Sequence, residues 1–183
     1  MTGKANAQTA GFVESYNTVA DGGNTPQVNM YVYGTIRDQL GWSAWTLTSE
    51  TYSEAYAGFT YAPAKWIEVS ASLGLESAEK SFRQGASVWL GKGRWSLLSI
   101  HEDGGSGYWY RYLGTYQVSK TLAVGVNSTR FLGTGPYAEK KFGKVAPFGE
   151  LMPSVRAEAS RGSDSISESI DPAFKGRLAP LLF

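Results

Sequence analysis

The residues with chemical potential are few and lie close together. Ser99, His101 and Asp103 alternate along one stretch, and spacing of two places Ser99 and His101 on one strand face. A hydrolase triad also needs a separate carboxylate that orients the histidine, and this spacing supplies none. Glu102 and Asp103 precede two glycines, but two carboxylates fall short of the 6–8 oxygen ligands that calcium takes. We therefore expect neither a catalytic centre nor a metal site, and no cofactor.

Composition excludes several other classes of function. The chain of 183 residues has no cysteine and one histidine, which removes disulfide scaffolds, thiolate zinc sites and cysteine nucleophiles. Its formal net charge is +1, so we expect neither a nucleic-acid partner nor a polybasic tether to anionic lipid. Glycine (22 residues) and aromatic residues (14%) are abundant, whereas charged residues make up only 18%. The aromatic content argues against a disordered chain.

Apolar residues alternate with polar ones along most of the chain. In 67–76, isoleucine, valine, alanine and leucine alternate with glutamate, serine and glycine, which places the apolar set on one face of a strand. The pattern predicts strands near 10–18, 28–37, 42–49, 52–62, 66–76, 81–91, 95–102, 108–118, 121–131, 136–142, 145–152 and 173–183. Pro147 and Pro180 argue against two of these as drawn, because proline lacks a ladder donor.

The connectors and the polar face indicate a membrane barrel. Short turns at 62–65, 91–94, 119–121 and 143–144 alternate with longer loops, which is typical of up-and-down barrels of the outer membrane. The polar partners on the strands are mostly serine, threonine, glycine, asparagine and glutamine, whereas a soluble exterior carries many lysines and glutamates. We predict an all-β fold: one closed antiparallel up-and-down transmembrane barrel of about twelve strands, with 8–10 strands as an alternative number. It would occupy 1–183, with a flexible N-terminus at 1–9 and a long loop at 153–172.

Three stretches carry a resemblance to a known superfamily. GFVESYN at 11–17, GFTYAPAKWIEVSASLGLE at 58–76 and YRYLGTYQVSKTLAVGV at 110–126 resemble bacterial outer-membrane β-barrel proteins, porin-like members especially. The terminal Phe183 is similar to the aromatic last residue that such barrels use for assembly. The resemblance implies a bacterial outer-membrane location and membrane lipid as a partner. Residues 1–10 contain no apolar segment of the kind a signal peptide needs, so we expect no signal peptide in this sequence and an ordinary polar N-terminus. Ala5, Asn6 and Ala7 resemble the end of a cleavage site, and a lost signal sequence stays the alternative.

With the apolar face turned to lipid, the register predicts which side chains line the lumen and which form an interfacial belt. The lumen-lining set is Glu54, Glu68, Glu76, Arg83, Arg111, Glu139, Lys141 and Glu150. The aromatic girdle at strand ends is Tyr61, Trp66, Trp89, Trp95, Tyr116 and Phe142. Glu76 and Arg83 are expected to meet near one mouth, and Glu68 is expected to compensate Arg111.

The function that follows is a small porin-like channel for passive passage of ions or small solutes, without catalysis. A lumen filled by paired charges would instead give a stiffened, non-conducting barrel. Two further alternatives remain: a soluble or phage-type structural or ligand-binding β-barrel, and a membrane-barrel enzyme that modifies lipid. The sequence does not determine the solute or the oligomeric state.

Overall fold

The structure, a computed structural model, describes residues 9–20, 23–153, 174–179 and 181–182. These residues form one antiparallel sheet of thirteen segments. The segments are β1 (Thr9–Ala20), β2 (Gly23–Arg37), β3 (Leu40–Ser49), β4 (Ser53–Ala64), β5 (Ile67–Glu76), β6 (Phe82–Lys92), β7 (Trp95–Gly104), β8 (Trp109–Gln117), β9 (Leu122–Thr129), β10 (Gly133–Lys140), β11 (Phe148–Pro153), β12 (Phe174–Ala179) and β13 (Leu181–Leu182). No helix in the described ranges is long and apolar enough to cross a membrane.

The sheet closes on itself. Each strand from β1 to β12 pairs with the next in the chain, and both β12 and β13 pair antiparallel with β1. The two short segments together act as the twelfth, closing strand, and Pro180 between them lies outside the described residues. Closure satisfies the edge groups that an open sheet would leave unpaired. The predicted fold class, a closed up-and-down barrel of about twelve strands, is confirmed.

Consecutive antiparallel pairing sorts the connectors between two ends of the barrel. One end, here called the tight-turn end, carries the connectors 38–39, 65–66, 93–94, 118–121 and 141–147. The other, here called the loop end, carries 50–52, 77–81, 105–108 and 130–132 among the described residues. Gly93 adopts a φ of 64°, which a two-residue turn requires and which glycine tolerates best. The four turns predicted to share one end do so; the 1–8 and 154–173 segments, which hold most of the expected flexible N-terminus and long loop, lie outside the described residues.

Three strand starts differ from the prediction by three residues or more, and proline is close to each. β11 begins at Phe148 rather than at 145, directly after Pro147, which has no N–H to give to the ladder. β10 begins at Gly133 rather than at 136, so Pro136 lies inside it, opposite Val126. The stretch around Pro26 resembles a loop in sequence, yet β2 begins at Gly23 because the whole stretch pairs with β1. At 15 residues, β2 is longer than its neighbour β3, so the β1–β2 hairpin projects past β3 at the loop end.

The two faces of the sheet are inverted relative to a water-soluble protein. Large apolar side chains on the outer face are exposed, such as Leu73 and Leu75, each 62% exposed. Charged side chains on the inner face are buried, such as Arg83 at 2% and Glu150 at 1%. A small apolar cluster of Tyr137, Ala146 and Phe148 is also inside. An apolar outside and a polar inside are the distribution of a barrel that lipid surrounds.

Candidate functional site in the barrel interior

The most extensive polar network inside the barrel is centred on Arg83, the second residue of β6. Its Nε lies 3.2 Å from Glu54 Oε2, its Nη1 3.0 Å from Glu76 Oε2, and its Nη2 3.4 Å from Glu102 Oε2. All four side chains lie at the loop end of their strands, β4 to β7. Here we call this group, with Tyr52, Tyr56 and Ser106, the Arg83 network. The pairing of Glu76 with Arg83 near a mouth, expected from sequence, is present.

Two neighbouring connectors complete the Arg83 network. The Tyr52 hydroxyl, in the 50–52 connector, lies 2.7 Å from a carboxylate oxygen of both Glu54 and Glu76. Burial raises the pKa of this phenol above its usual value, so the hydroxyl stays protonated and is a hydrogen-bond donor to the carboxylates. From the 105–108 connector, the Ser106 backbone N–H donates to Glu76 Oε1 at 2.7 Å and the Ser106 hydroxyl donates to Glu76 Oε2 at 2.6 Å. The connector is thereby held against the inner wall of the mouth.

Ring stacking and a glycine position Tyr56 beside Arg83. The Tyr56 hydroxyl accepts a hydrogen bond from Arg83 Nε, and the Tyr56 ring stacks on Trp45 with centroids 5.0 Å apart and planes 7° apart. Opposite Tyr56 in the ladder stands Gly74. A Cβ at Gly74 would come within 2.6 Å of the Tyr56 ring, so only glycine leaves the ring in this position. The network therefore rests on a wall built for it.

A second polar cluster lies on the wall formed by β8 to β11. Arg111 Nη2 donates to Glu150 Oε1 at 3.3 Å, and Arg111 Nε donates to Asn127 Oδ1 at 3.2 Å. Asn127 also donates to the Thr129 hydroxyl at 3.2 Å. The carboxylate that compensates Arg111 is thus Glu150, and the expected compensation by Glu68 is wrong because Glu150 is reached across the β9–β10 hairpin.

Of the remaining predicted lumen residues, Glu68 and Glu139 lie on the inner wall, whereas Lys141 lies in the 141–147 connector. Glu68 shares the inner face of β5 with Ser70, Ser72 and Glu76 but lies toward the tight-turn end. Glu139 Oε1 lies 3.7 Å from Lys141 Nζ, also at the tight-turn end, where half of the Lys141 side chain is exposed. These residues do not join the Arg83 network, so the interior has separate polar groups along its length.

Sequence reasoning missed Glu102 as an inner-face residue because β7 reverses the usual pattern. Its inward residues include Leu98 and Ile100, while Ser99 and His101 point outward. Glu102 shares a face of β7 with Leu98 and Ile100. Alternation within β7 alone would therefore predict that this face is the outer one and would place Glu102 outside. Only the register with β6, where Gly85 stands opposite Glu102, settles the orientation. A neighbouring strand of known face was the signal that could have identified it.

Five of the six predicted girdle aromatics lie at the tight-turn end on the outer side or in its connectors. Tyr61, Trp66, Trp95 and Phe142 are between 47% and 67% exposed, and the Tyr116 ring packs on Trp95 with centroids 4.7 Å apart. The placement of Trp89 in the girdle is wrong. Trp89 stands opposite Glu68 and Leu98 in the ladder, which places it on the inner face with Arg83, between the outward Val88 and Leu90.

The Ser99, His101 and Asp103 stretch lies on the outer face of β7. Ser99 Oγ is 2.9 Å from His101 Nε2, and His101 Nδ1 contacts the Tyr108 hydroxyl, so a phenol takes the place that a carboxylate has in a triad. Within the described ranges, no group of three or more histidine, cysteine, aspartate or glutamate side chains is arranged to hold a metal ion.

Comparison with known proteins gives a likeness of fold. No family model and no curated protein matches the sequence. Two solved structures match across nearly the whole chain: a KdgM porin, with a TM-score of 0.63, and a NanC porin, with a TM-score of 0.56. Each is 11% identical, and each alignment covers 94% of this chain and 98% of the other. The chain therefore shares the outer-membrane porin-like β-barrel fold.

Proposed function

We propose that this protein is a small channel of the bacterial outer membrane that passes ions or small solutes passively. The observation that carries the proposal is a closed barrel with an apolar outer wall and charged side chains along its inner wall. The fold likeness to two porins supports it. Membrane lipid surrounds the wall, and the tight turns face the periplasm, as in other barrels of this type. No catalytic step is part of the proposal.

The Arg83 network sets the width of the passage at the loop end. Its side chains reach inward from four adjacent strands, and the 105–108 connector is fastened to them. Twelve strands enclose less space than the 16–18 of porins with open aqueous channels. The single-channel current should therefore be small, and the mixture of carboxylates and guanidinium groups should give weak ion selectivity.

A non-conducting barrel is the second candidate, and one observation favours it. The Arg83 and Glu76 side chains are 2% and 0% exposed, so little solvent reaches the centre of the network. Paired charges that exclude water would stiffen the barrel and occlude it. The channel proposal needs an open path beside the network, along the wall that bears Glu68 and Glu139.

Single-channel recording in a planar bilayer under asymmetric salt distinguishes the two candidates. The channel proposal predicts small, discrete current steps from refolded wild-type protein. Glu68→Gln should shift the reversal potential toward anions, because a carboxylate leaves the inner wall. Glu79→Gln removes the same charge from the exposed 77–81 connector and should shift it less. Absence of current from folded protein would establish the occluded barrel, and equal shifts in both variants would remove Glu68 from the conduction path.

A further inference from the structure

Arg130, in the 130–132 connector, is held between aromatic rings on the outer side of the loop end. Its guanidinium carbon lies 4.7 Å from the centroid of the Phe131 ring and 5.7 Å from that of the Tyr108 ring. Arg130 Nη1 also donates to the Tyr108 carbonyl oxygen. These contacts fix the plane of the guanidinium group and use one of its five N–H donors.

No described carboxylate pairs with Arg130. Among the residues that the structure describes, the ion pairs involve other arginines and a lysine. A planar guanidinium group with free donors is suited to a phosphate, which it binds through two parallel hydrogen bonds. The site therefore has the charge and the donor geometry for a phosphate-bearing ligand.

The surroundings of Arg130 indicate that the ligand is a lipid. The Tyr108 ring stacks on His101, with centroids 6.0 Å apart, and His101 is on the outward face of β7 beside Tyr112. Phe131 is 62% exposed, so a large apolar ring lies directly beside the cation. A lipid presents the same pair of features, a charged headgroup next to an apolar chain, at the depth where a strand meets its connector.

The backbone at Phe131 determines where its ring lies. Its φ of 72° lies in the left-handed region, which aromatic residues seldom adopt. This conformation places the ring where Arg130 stacks on it. A three-residue hairpin connector commonly places one residue in this region, so the turn between β9 and β10 holds the Phe131 ring beside Arg130.

We propose that Arg130, Tyr108, His101 and Phe131 form an outward-facing site for the phosphate headgroup of a membrane lipid in the leaflet at the loop end. The site rests on the membrane location in the proposed function but not on conduction. Binding is by the Arg130 guanidinium fork, with the aromatic rings of Tyr108 and Phe131 against the first methylenes of the lipid.

Native mass spectrometry of the full chain, released from micelles containing equimolar phosphatidylglycerol and phosphatidylcholine, tests the site. Wild-type protein should retain phosphatidylglycerol, and Arg130→Gln should weaken that retention roughly tenfold, as expected for loss of a charge-assisted hydrogen-bonded pair. Arg94→Gln is the matched control, because it removes an exposed cation from the 93–94 connector at the opposite end. It should retain phosphatidylglycerol as wild type does. Equal losses in both variants, or no loss in either, would overturn the proposal.

Three further arms keep the test decisive. Arg130→Lys retains the charge without the planar fork and should weaken retention roughly threefold. Retention equal to wild type would overturn the role of the fork. This variant also tests the site if Arg130→Gln does not fold. Excess inorganic phosphate should displace little lipid, and complete displacement would make this a free-anion site instead. Planar-bilayer currents of Arg130→Gln should equal those of wild type, so failure of the lipid site is distinguishable from failure of the channel.

Discussion

Replacing Arg83 by methionine tests whether the network at the loop end is a single energetic unit. The substitution keeps an unbranched side chain of similar length and removes the one cation that three carboxylates share. At these separations of 3.0–3.4 Å, each ion pair is worth about 5 kcal/mol of attraction at an effective dielectric constant of roughly 20. Desolvation and the repulsion among Glu54, Glu76 and Glu102 offset most of that sum. Removal of one partner from a buried pair nevertheless costs about 3–5 kcal/mol, because the other charge stays buried.

We therefore expect Arg83→Met to lower the free energy of unfolding by about 3–5 kcal/mol. Urea titration of the refolded barrel in lipid vesicles, followed by tryptophan fluorescence and gel mobility, measures it. Lys92→Met is the matched control, since Lys92 is exposed at the other end of the same strand. That change should stay within about 0.5 kcal/mol of wild type.

A second substitution separates lost attraction from unrelieved repulsion. After loss of Arg83, Glu76 keeps its hydrogen bonds from Ser106, whereas Glu102 loses the cation 3.4 Å away. Adding Glu102→Gln to Arg83→Met should recover at least about 1 kcal/mol, the coupling expected for residues in one network. If Arg83→Met matched Lys92→Met in stability, or if Glu102→Gln made the double variant less stable still, the reasoning about a shared buried charge would be refuted.

Two further predictions concern the faces of the barrel. Ala71→Arg places a cation on the outer wall and should cost about 2–4 kcal/mol of stability in lipid vesicles if the residue is at mid-bilayer. Ser72→Arg, one residue along and facing inward, should cost less. The opposite order would show that the inner and outer faces of β5 are assigned the wrong way round. Trp95→Phe should remove much of the fluorescence quenching by lipids brominated near the headgroup, because Trp95 is outward and 67% exposed. Trp89→Phe should remove little of this quenching. Equal losses of quenching in the two variants would show that Trp89 belongs to the outer aromatic girdle.

Most of the strand pattern was predictable because alternation within a strand indicates which of its residues share a face. In β5 the alternation of apolar and small polar residues continues without a break, so face, register and strand end follow from local sequence alone. β7 does not state them: Leu98 and Ile100 point inward and His101 outward, and the hydrogen-bonded neighbours impose that orientation. The misplaced Trp89 has the same origin, since proximity to a turn does not say which face a residue occupies.

The side-chain contacts within the candidate site were harder to predict from sequence than the face of the sheet on which its residues lie. Glu54, Glu76 and Arg83 could be placed on the inner side, but the partner of Arg111 could not be chosen without the curvature of the sheet. Glu150 lies three strands from Arg111 along the wall, and only the curved, closed sheet brings the two side chains together. Pairing across nonadjacent strands depends on side-chain reach, which alternation does not encode.

An apolar seam lies on the inner wall of β7 and β8, next to both polar clusters. Leu98 and Leu113 face each other across β7 and β8, and Ile100 extends the seam beside Arg111. Among the described residues, the hydrogen bonds of the Arg83 network join β4 to β7 and their loop-end connectors, and those of Arg111 join β8 to β9 and β11. Each cluster is therefore compensated locally, the first by three carboxylates around one guanidinium group and the second by Glu150 and Asn127. Substitutions within one cluster should be strongly coupled, whereas substitutions in different clusters should add, since residues without shared partners act independently.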